Sequence, residues 1–291
     1  MRIDAHQHFW TTARDDYGWL TPASAPSLYR NFQPQDLHPR LQAAAIAGTI
    51  AVQAAPTVAE TDYLLGLAER FPWVLGVVGW IDFDAADAAS ELGRLARNPR
   101  FVGVRPMLQD LPDPDWILAR TRASVLEMLA GRGLVFDALV RPVHLPRIAD
   151  LATRHPGLAV VIDHAAKPAI GDAALFSQWR DGVRALASRQ NVACKLSGLL
   201  TEAPSAAGLE LIEPYFKVLL EAFGEDRLIW GSDWPVLLAA SPYAEWSLMC
   251  DRLLEPYGTG IAAKVRGANA VRIYNLAGAS AGHVVTEGKP L

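Results

Sequence analysis

Eight short apolar segments recur along this chain of 291 residues at the spacing of strand–helix units, and this repetition limits what the chain can fold into. Near-continuous runs of Val, Ile, Ala and Leu are typical of strands buried on both faces, as in parallel sheets. Most strand starts lie roughly 25 to 36 residues apart, which is the length of a βα unit. The predicted strands are residues 2–6, 48–53, 74–80, 101–105, 134–139, 159–163, 192–196 and 228–231.

Helical patterns lie between these segments. In residues 59–71, for example, Leu64, Leu65, Ala68 and Phe71 fall on one stripe of a helix. Similar patterns cover residues 34–47, 85–97, 115–131, 144–155, 173–189, 205–223 and 243–256.

The alternation predicts an α/β fold, a single distorted (β/α)8 TIM barrel, for which about 250 residues is typical. An open doubly wound sheet is the main alternative. Such sheets usually have fewer strands, and no Gly-x-Gly-x-x-Gly follows the first strand here. We expect the barrel to span residues 1–276 and a C-terminal tail to follow at 277–291.

The first βα unit is longer than the others, with about forty residues between His8 and Gly48. Long loops in compact domains are usually functional or disordered. This loop carries Trp10, Tyr17 and Trp19 among other aromatic residues, which favours a folded cover over a site.

Composition narrows the function classes. The formal net charge is −4 with no long basic run, which gives no support to nucleic-acid binding. Two cysteines are too few for a disulfide framework, and the sequence leads us to expect neither a signal peptide nor a membrane-spanning segment. We therefore expect a cytoplasmic protein that acts on a small molecule away from membranes. The sequence leaves the oligomeric state open.

The segment Asp4-Ala5-His6-Gln7-His8 carries the strongest chemical signal. Because strand side chains alternate, Asp4, His6 and His8 are predicted to share one face. Two imidazoles at a strand end can converge on one ion or one substrate atom, since histidine is a common metal ligand and proton carrier. His164 and Asp233 end two distant strands, and barrel active sites lie at such strand ends. We expect these residues to meet.

Further polar and aromatic residues fall at predicted strand ends or in the first loop. Arg105 offers a planar fork of donors for a carboxylate, a hydroxyl or a developing oxyanion, although a structural ion pair at the rim is the alternative. Gln53, Trp80 and Trp10 are candidate substrate contacts, and Trp10 could equally seal the barrel top. Asp163 alternates to the other face of its strand from His164, so we expect it to anchor a neighbouring helix.

Four motifs together resemble the amidohydrolase superfamily. They are Asp-x-His-x-His at 4–8, Asp-His-x-x-Lys-Pro at 163–168, Lys-Leu-Ser-Gly at 195–198 and Gly-Ser-Asp-Trp-Pro at 231–235. The likeness runs from residue 2 to about residue 276. It is strongest to the amidohydrolase-related branch that includes sugar-acid lactonases and 2-pyrone-4,6-dicarboxylate lactonase. The superfamily's two-metal sites use a carboxylate or modified Lys on strand 4 and a His on strand 5, where this chain has Arg105 and Asp137. A two-metal site is therefore not expected.

The resemblance implies hydrolysis of a small lactone in carbohydrate catabolism, such as L-fucono-, L-rhamnono- or D-galactonolactone. Asp233, beside His164, would be the general base that activates water. If one divalent ion is bound, with zinc the first candidate, His6, His8, His164 and Asp233 would hold it. The branch also contains metal-free hydrolases. Three alternatives stay open: a metal-dependent decarboxylase of an aromatic acid, a lactonase for a pyrone or muconolactone carboxylate, and a barrel that only binds.

Overall fold

Eight parallel strands form one sheet in the order of the sequence, from β1 to β8. The structure is a computed structural model that describes residues 1–119, 122–205 and 207–276. The sheet closes into a barrel because the Asp233 amide donates to the His6 carbonyl (2.8 Å) and the His8 amide to the Trp234 carbonyl (2.7 Å). The strands are β1 (Ile3–Gln7), β2 (Gly48–Val52), β3 (Val74–Gly79), β4 (Phe101–Val104), β5 (Val135–Ala138), β6 (Val160–Ile162), β7 (Val192–Leu196) and β8 (Leu228–Trp230). Each predicted strand is present.

Helices connect successive strands, as a TIM barrel requires. The helix predicted for 115–131 is shorter in the structure, because Trp116–Leu118 forms a separate 3-10 turn that ends at Ala119, whose backbone is extended (φ −64°, ψ 139°). The α-helices are α1 (Pro34–Ala43), α2 (Val58–Arg70), α3 (Ala88–Leu95), α4 (Ala123–Gly131), α5 (Leu145–Arg154), α6 (Ala173–Ala187), α7 (Leu209–Arg227), α8 (Tyr243–Leu254), α9 (Gly258–Ala263) and α10 (Asn269–Ile273). In the described parts of the chain, no helix combines the length and apolar character needed to cross a bilayer.

The barrel interior contains an apolar layer, with Ile50, Val78 and Val161 among its members. Residues at the end of the described chain, including Tyr274 and Leu276, belong to the same layer. They enter where the strands begin, since Gly267 packs against the Met1 backbone. The floor of the barrel is therefore plugged, and a site can form only at the opposite mouth. The predicted tail at 277–291 lies outside the described residues.

The prediction that Asp4 shares a face with His6 and His8 is wrong. The Asp4 carboxylate accepts the Ser232 amide (2.8 Å) and the Tyr243 hydroxyl of α8 (3.0 Å), so it points toward a helix. The pairing of β1 with β2 shifts register between Asp4 and Gln7, which breaks the strict alternation of side chains.

The long first loop is folded over the barrel mouth, as predicted. Trp10 and Phe32 pair through their backbones at 3.0 Å in both directions. The Trp10 ring packs edge-on against Trp19 and Phe32, with centroids 5.5 and 5.3 Å apart. The Trp19 indole donates to the Ala54 carbonyl (2.8 Å), which ties the loop to the end of β2.

Candidate active site

His6, His8, His164 and Asp233 meet at the mouth of the barrel, where the sequence places the ends of three strands. The Asp233 Oδ1 atom lies 3.2 Å from His8 Nε2 and 3.7 Å from the Nε2 atoms of both His6 and His164. The Nε2 atoms of His6 and His8 are 3.3 Å apart. One carboxylate oxygen thus faces three imidazole nitrogens.

His8 and His164 are each oriented by a contact at Nδ1, on the side of the ring that points away from Asp233. His8 Nδ1 lies 2.8 Å from the Val52 carbonyl, and His164 Nδ1 lies 2.9 Å from the Ser197 hydroxyl. A histidine bonded at one nitrogen has its ring fixed and presents the other nitrogen to the site. Both rings therefore present Nε2 to Asp233.

The turns that carry the site adopt unusual backbone conformations. His164 and Asp233 have positive φ angles of 51° and 61°, which non-glycine residues adopt only at some cost. Gly198 also has a positive φ, and a Cβ atom there would lie 2.6 Å from His164 Nδ1. The Ser-Gly pair of the 195–198 motif thus holds the His164 ring with the serine and leaves space for it with the glycine.

Burial and neighbouring charges set the protonation states. Burial lowers the pKa of His164 to about 4 and that of His6 well below its usual range. Burial alone would raise the pKa of Asp233, but His164, the hydrogen bond from His8 and the His6 ring together hold it below its ordinary value. At neutral pH Asp233 is an ionised carboxylate beside the neutral imidazoles of His6 and His164, which suits a general base or a metal ligand.

The donor set fits one divalent ion. Nitrogen and oxygen donors of His6, His8 and Asp233 all lie within 4.8 Å of one another, and zinc accepts such a mixed set. A second group, His6 with Asp163 and His164, shares His6 with the first. In that group the Asp163 carboxylate already contacts two cationic side chains, so the described residues offer one ion site rather than two independent ones.

Asp163 was predicted to anchor a helix, and this prediction is wrong. Its Oδ1 atom lies 2.9 Å from Lys195 Nζ and 3.3 Å from His6 Nδ1, and its Oδ2 atom lies 3.4 Å from Arg105 Nη1. The alternation along β6 places Asp163 on the interior face with Val161, because the strand ends only at Ile162.

Arg105 forms the structural ion pair that was one of its two predicted roles, and it also lines the cavity, as the other role, substrate contact, requires. It forms a buried ion pair with Asp163, and its Nη1 atom also lies 3.4 Å from His6 Nε2. Its side chain lines a cavity of about 230 Å³ together with His8, His164 and Asp233. Substrate contact by Arg105 stays a prediction.

Trp80 and Gln53, two other predicted substrate contacts, do not line the cavity that contains Asp233. Trp80 lines a second cavity of about 530 Å³, which shares Trp19, Met107 and Asp110 with the first. Gln53 lies behind the wall, where its amide donates to the Arg105 carbonyl (2.6 Å).

Trp10 also lies behind the wall. It is fully buried, and its indole donates to the Arg30 carbonyl (2.8 Å). The structure thus places it in the packing of the cover loop.

The sequence signals no role for two polar residues of the cavity wall and leaves the role of a third, Lys167, open. Gln109 and Asp110 come from a short 3-10 turn after β4 (Leu108–Asp110), where no strand end or motif signals a site. Lys167 stands in the 163–168 motif but received no role. It lines the same cavity and lies 3.3 Å from Glu202.

Comparison with known proteins identifies the family of this chain. The sequence model of the "Amidohydrolase" family matches residues 3–276. An L-fucono-1,5-lactonase of Burkholderia ambifaria is 44% identical over 280 residues, covering 95% of this chain and 96% of the relative. An L-fucono-1,5-lactonase of Burkholderia multivorans is 37% identical, with the same coverage of both chains.

A solved structure of an amidohydrolase also resembles this chain over nearly its whole length. The crystal structure of an amidohydrolase from Burkholderia multivorans with bound Zn superposes with a TM-score of 0.90 at 36% identity, covering 95% of this chain and 99% of that one. The family match, the identities and the superposition all extend over nearly the whole chain. This chain therefore belongs to the amidohydrolase family.

Proposed function

We propose that this protein is a lactonase that opens the ring of a small, uncharged sugar-acid lactone, with L-fucono-1,5-lactone as the first candidate substrate. One observation carries the proposal. The ionised Asp233 carboxylate faces three imidazoles on the wall of a cavity of about 230 Å³, a size suited to a single small ring. The two lactonase relatives and the aromatic cover loop support the same substrate class.

The charge of the cavity wall favours an uncharged substrate. Arg105 and Lys167 contribute cations, and Asp110 and Asp233 contribute anions, so the ionisable groups of opposite sign are balanced. Lys167 is already paired with Glu202 at 3.3 Å. A dicarboxylated pyrone would need several converging cations with free donors. A neutral polyol lactone needs only mixed hydrogen-bonding groups, which this wall provides.

The mechanism is general-base hydrolysis. Asp233 accepts a proton from a water molecule as the water oxygen forms a bond to the lactone carbonyl carbon. We infer that the Arg105 guanidinium, which lines the cavity, donates to the developing oxyanion. The bond from the carbonyl carbon to the ring oxygen then breaks, and the proton held by Asp233 passes to that oxygen. The product is the open-chain hydroxy acid.

His6, His8, His164 and Asp233 would hold a divalent ion. When bound, such an ion supplies Lewis-acid polarisation of a carbonyl and lowers the pKa of nearby water. The protein's own contribution is to keep the His6 and His164 imidazoles neutral by burial, and to fix the rings of His8 and His164 through Val52 and Ser197.

A substrate panel tests the proposal. Acid release is followed with a pH indicator for L-fucono-1,5-lactone, L-rhamnono- and D-galactonolactones and 2-pyrone-4,6-dicarboxylate, with chelator and with added zinc. Carbon dioxide release from hydroxybenzoates is measured in parallel. We expect turnover of the sugar lactones, and none of the dicarboxylate or the aromatic acids. Carbon dioxide release without lactone hydrolysis would instead support the decarboxylase alternative.

A further inference from the structure

A buried chain of polar side chains runs from the floor of the barrel to the active site. Tyr274 follows α10 in the plugged floor, and its hydroxyl donates to Asp137 Oδ1 on β5 (2.7 Å). The other oxygen of Asp137 accepts from Lys195 Nζ on β7 (2.5 Å). Lys195 Nζ in turn lies 3.1 Å from His6 Nδ1. The side chains of Asp137, Lys195 and His6 are fully buried, and Tyr274 is 1% exposed.

Lys195 has three polar neighbours in this chain of residues: it hydrogen-bonds to two of them and forms an ion pair with Asp163. An ammonium has three donors and no acceptor. The three neighbours are Asp137 Oδ2 at 2.5 Å, Asp163 Oδ1 at 2.9 Å and His6 Nδ1 at 3.1 Å. Such compensation is what burial of a charge requires, because an unpaired buried ammonium is costly.

The charges around Lys195 also balance. Asp137 and Asp163 contribute two negative charges, and Lys195 and Arg105 contribute two positive charges within the same contact network. The position of the ammonium is therefore determined from several sides. Loss of one partner would leave a buried charge uncompensated and would let the remaining groups move.

His6 receives its orientation from this network. Its Nδ1 atom lies between the Lys195 ammonium and the Asp163 carboxylate, while its Nε2 atom faces Asp233 and His8. His8 and His164 are oriented by a backbone carbonyl and a serine hydroxyl. His6 is thus held by a network of charged side chains that ends at the floor of the barrel.

We propose that Lys195, held by Asp137 and Tyr274, is a positioning residue that fixes the His6 ring for catalysis. It follows that the C-terminal segment at the barrel floor influences the geometry at the mouth. Partners behind a site histidine typically matter by about 10- to 100-fold in activity or metal affinity.

Tyr274→Phe is the decisive variant, because it removes one hydroxyl and keeps the ring that fills the floor. Tyr215→Phe is the matched control. Tyr215 is also a buried tyrosine, and its hydroxyl accepts the Gly171 amide (3.2 Å) beside α6, away from the chain of residues described above. Lys195→Met is a second variant with a larger expected effect, but it leaves two buried carboxylates without their ammonium.

Two measurements are made on each protein. One is the kcat and KM for the substrate found in the panel. The other is the set of ¹⁵N resonances of the His6 imidazole, assigned with a His6→Gln variant. We expect Tyr274→Phe to lower kcat about tenfold at nearly unchanged KM and to shift the His6 resonances. We expect Tyr215→Phe to do neither.

The proposal is overturned if Tyr274→Phe has the kcat and the His6 resonances of the wild type, or if Tyr215→Phe changes both to the same extent. The kinetic measurement rests on the proposed lactonase activity, whereas the resonances do not. If the wild type hydrolyses no lactone, the proposed function fails, and the His6 resonances still decide the role of Lys195.

Discussion

The Asp233 carboxylate lies 3.2 Å from His8 Nε2, although 225 positions separate the two residues in the sequence. The contact exists because the barrel closes between β8 and β1, and the backbone bonds of that closure flank both residues. Formation of the site and closure of the barrel are therefore the same structural event.

Gly198→Ala is expected to abolish most activity without unfolding the protein. A Cβ atom at this position would lie 2.6 Å from His164 Nδ1 and would displace the imidazole that faces Asp233. Gly133→Ala is the control, since Gly133 follows the end of α4 with the same φ of 66° and has no atom within 4 Å of the added carbon. Both variants should lose about 1–2 kcal/mol of stability from the left-handed backbone.

Kinetics and thermal denaturation of the two glycine variants distinguish the effect of backbone strain from the effect of displacing the His164 imidazole. Only Gly198→Ala should lose hydrolytic activity. Equal activity in the two variants would mean that the space beside His164 is not needed.

The contribution of Glu60 to the stability of the protein should fall as the pH rises. Burial raises the pKa of Glu60 from 4.5 to about 8, although its carboxylate accepts the Ala54 and Ala55 amides. Because the folded state binds this proton more tightly than the unfolded chain, the contribution is full below about pH 4.5. It is lost progressively up to about pH 8.

Glu60→Gln keeps an acceptor oxygen for the two amides and removes the titration. The free energy of unfolding is measured in urea from pH 4 to pH 9 for both proteins, and the difference between them cancels other groups. We expect the stability of the wild type relative to the variant to decline across this range. Parallel curves would show that Glu60 has an ordinary pKa.

The metal content should be at most about one ion per chain, since the two candidate ligand groups share His6 and the Asp163 carboxylate is occupied by Lys195 and Arg105. Elemental analysis of purified protein loaded with zinc checks this number. His8→Ala should lower the zinc content, because it removes one of the donors around Asp233. Two tightly held ions in the wild type would contradict the assignment of Lys195 as the fixed cation of the second group.

Much of this architecture could be predicted from the sequence, because the signals were local. All eight strands appear as apolar runs, and His6, His8, His164 and Asp233 stand at or near strand ends, where a parallel barrel gathers side chains. The errors arose where position depends on register. Asp4 turns to α8 because of an irregularity in β1.

Residues without a periodic or motif signal could not be assigned in advance. Gln109 and Asp110 reach the cavity from a 3-10 turn. The conformation of this turn depends on tertiary contacts such as the hydrogen bond that the Gln109 backbone amide donates to the Leu139 carbonyl (3.0 Å). Tyr274 joins the network under the site only because the end of the described chain plugs the barrel floor. Such contacts between residues distant in sequence leave no trace in local composition.

The most direct test of the account is the turnover of Asp233→Asn on the best lactone of the panel, measured beside the wild type in one buffer. Asparagine keeps the size of the side chain and can still bond to His8, but it cannot accept the proton of water. We predict a melting temperature near that of the wild type and a loss in kcat of about three orders of magnitude. A variant that folds normally and turns over lactone at close to the wild-type rate would contradict the assignment of Asp233 as the general base.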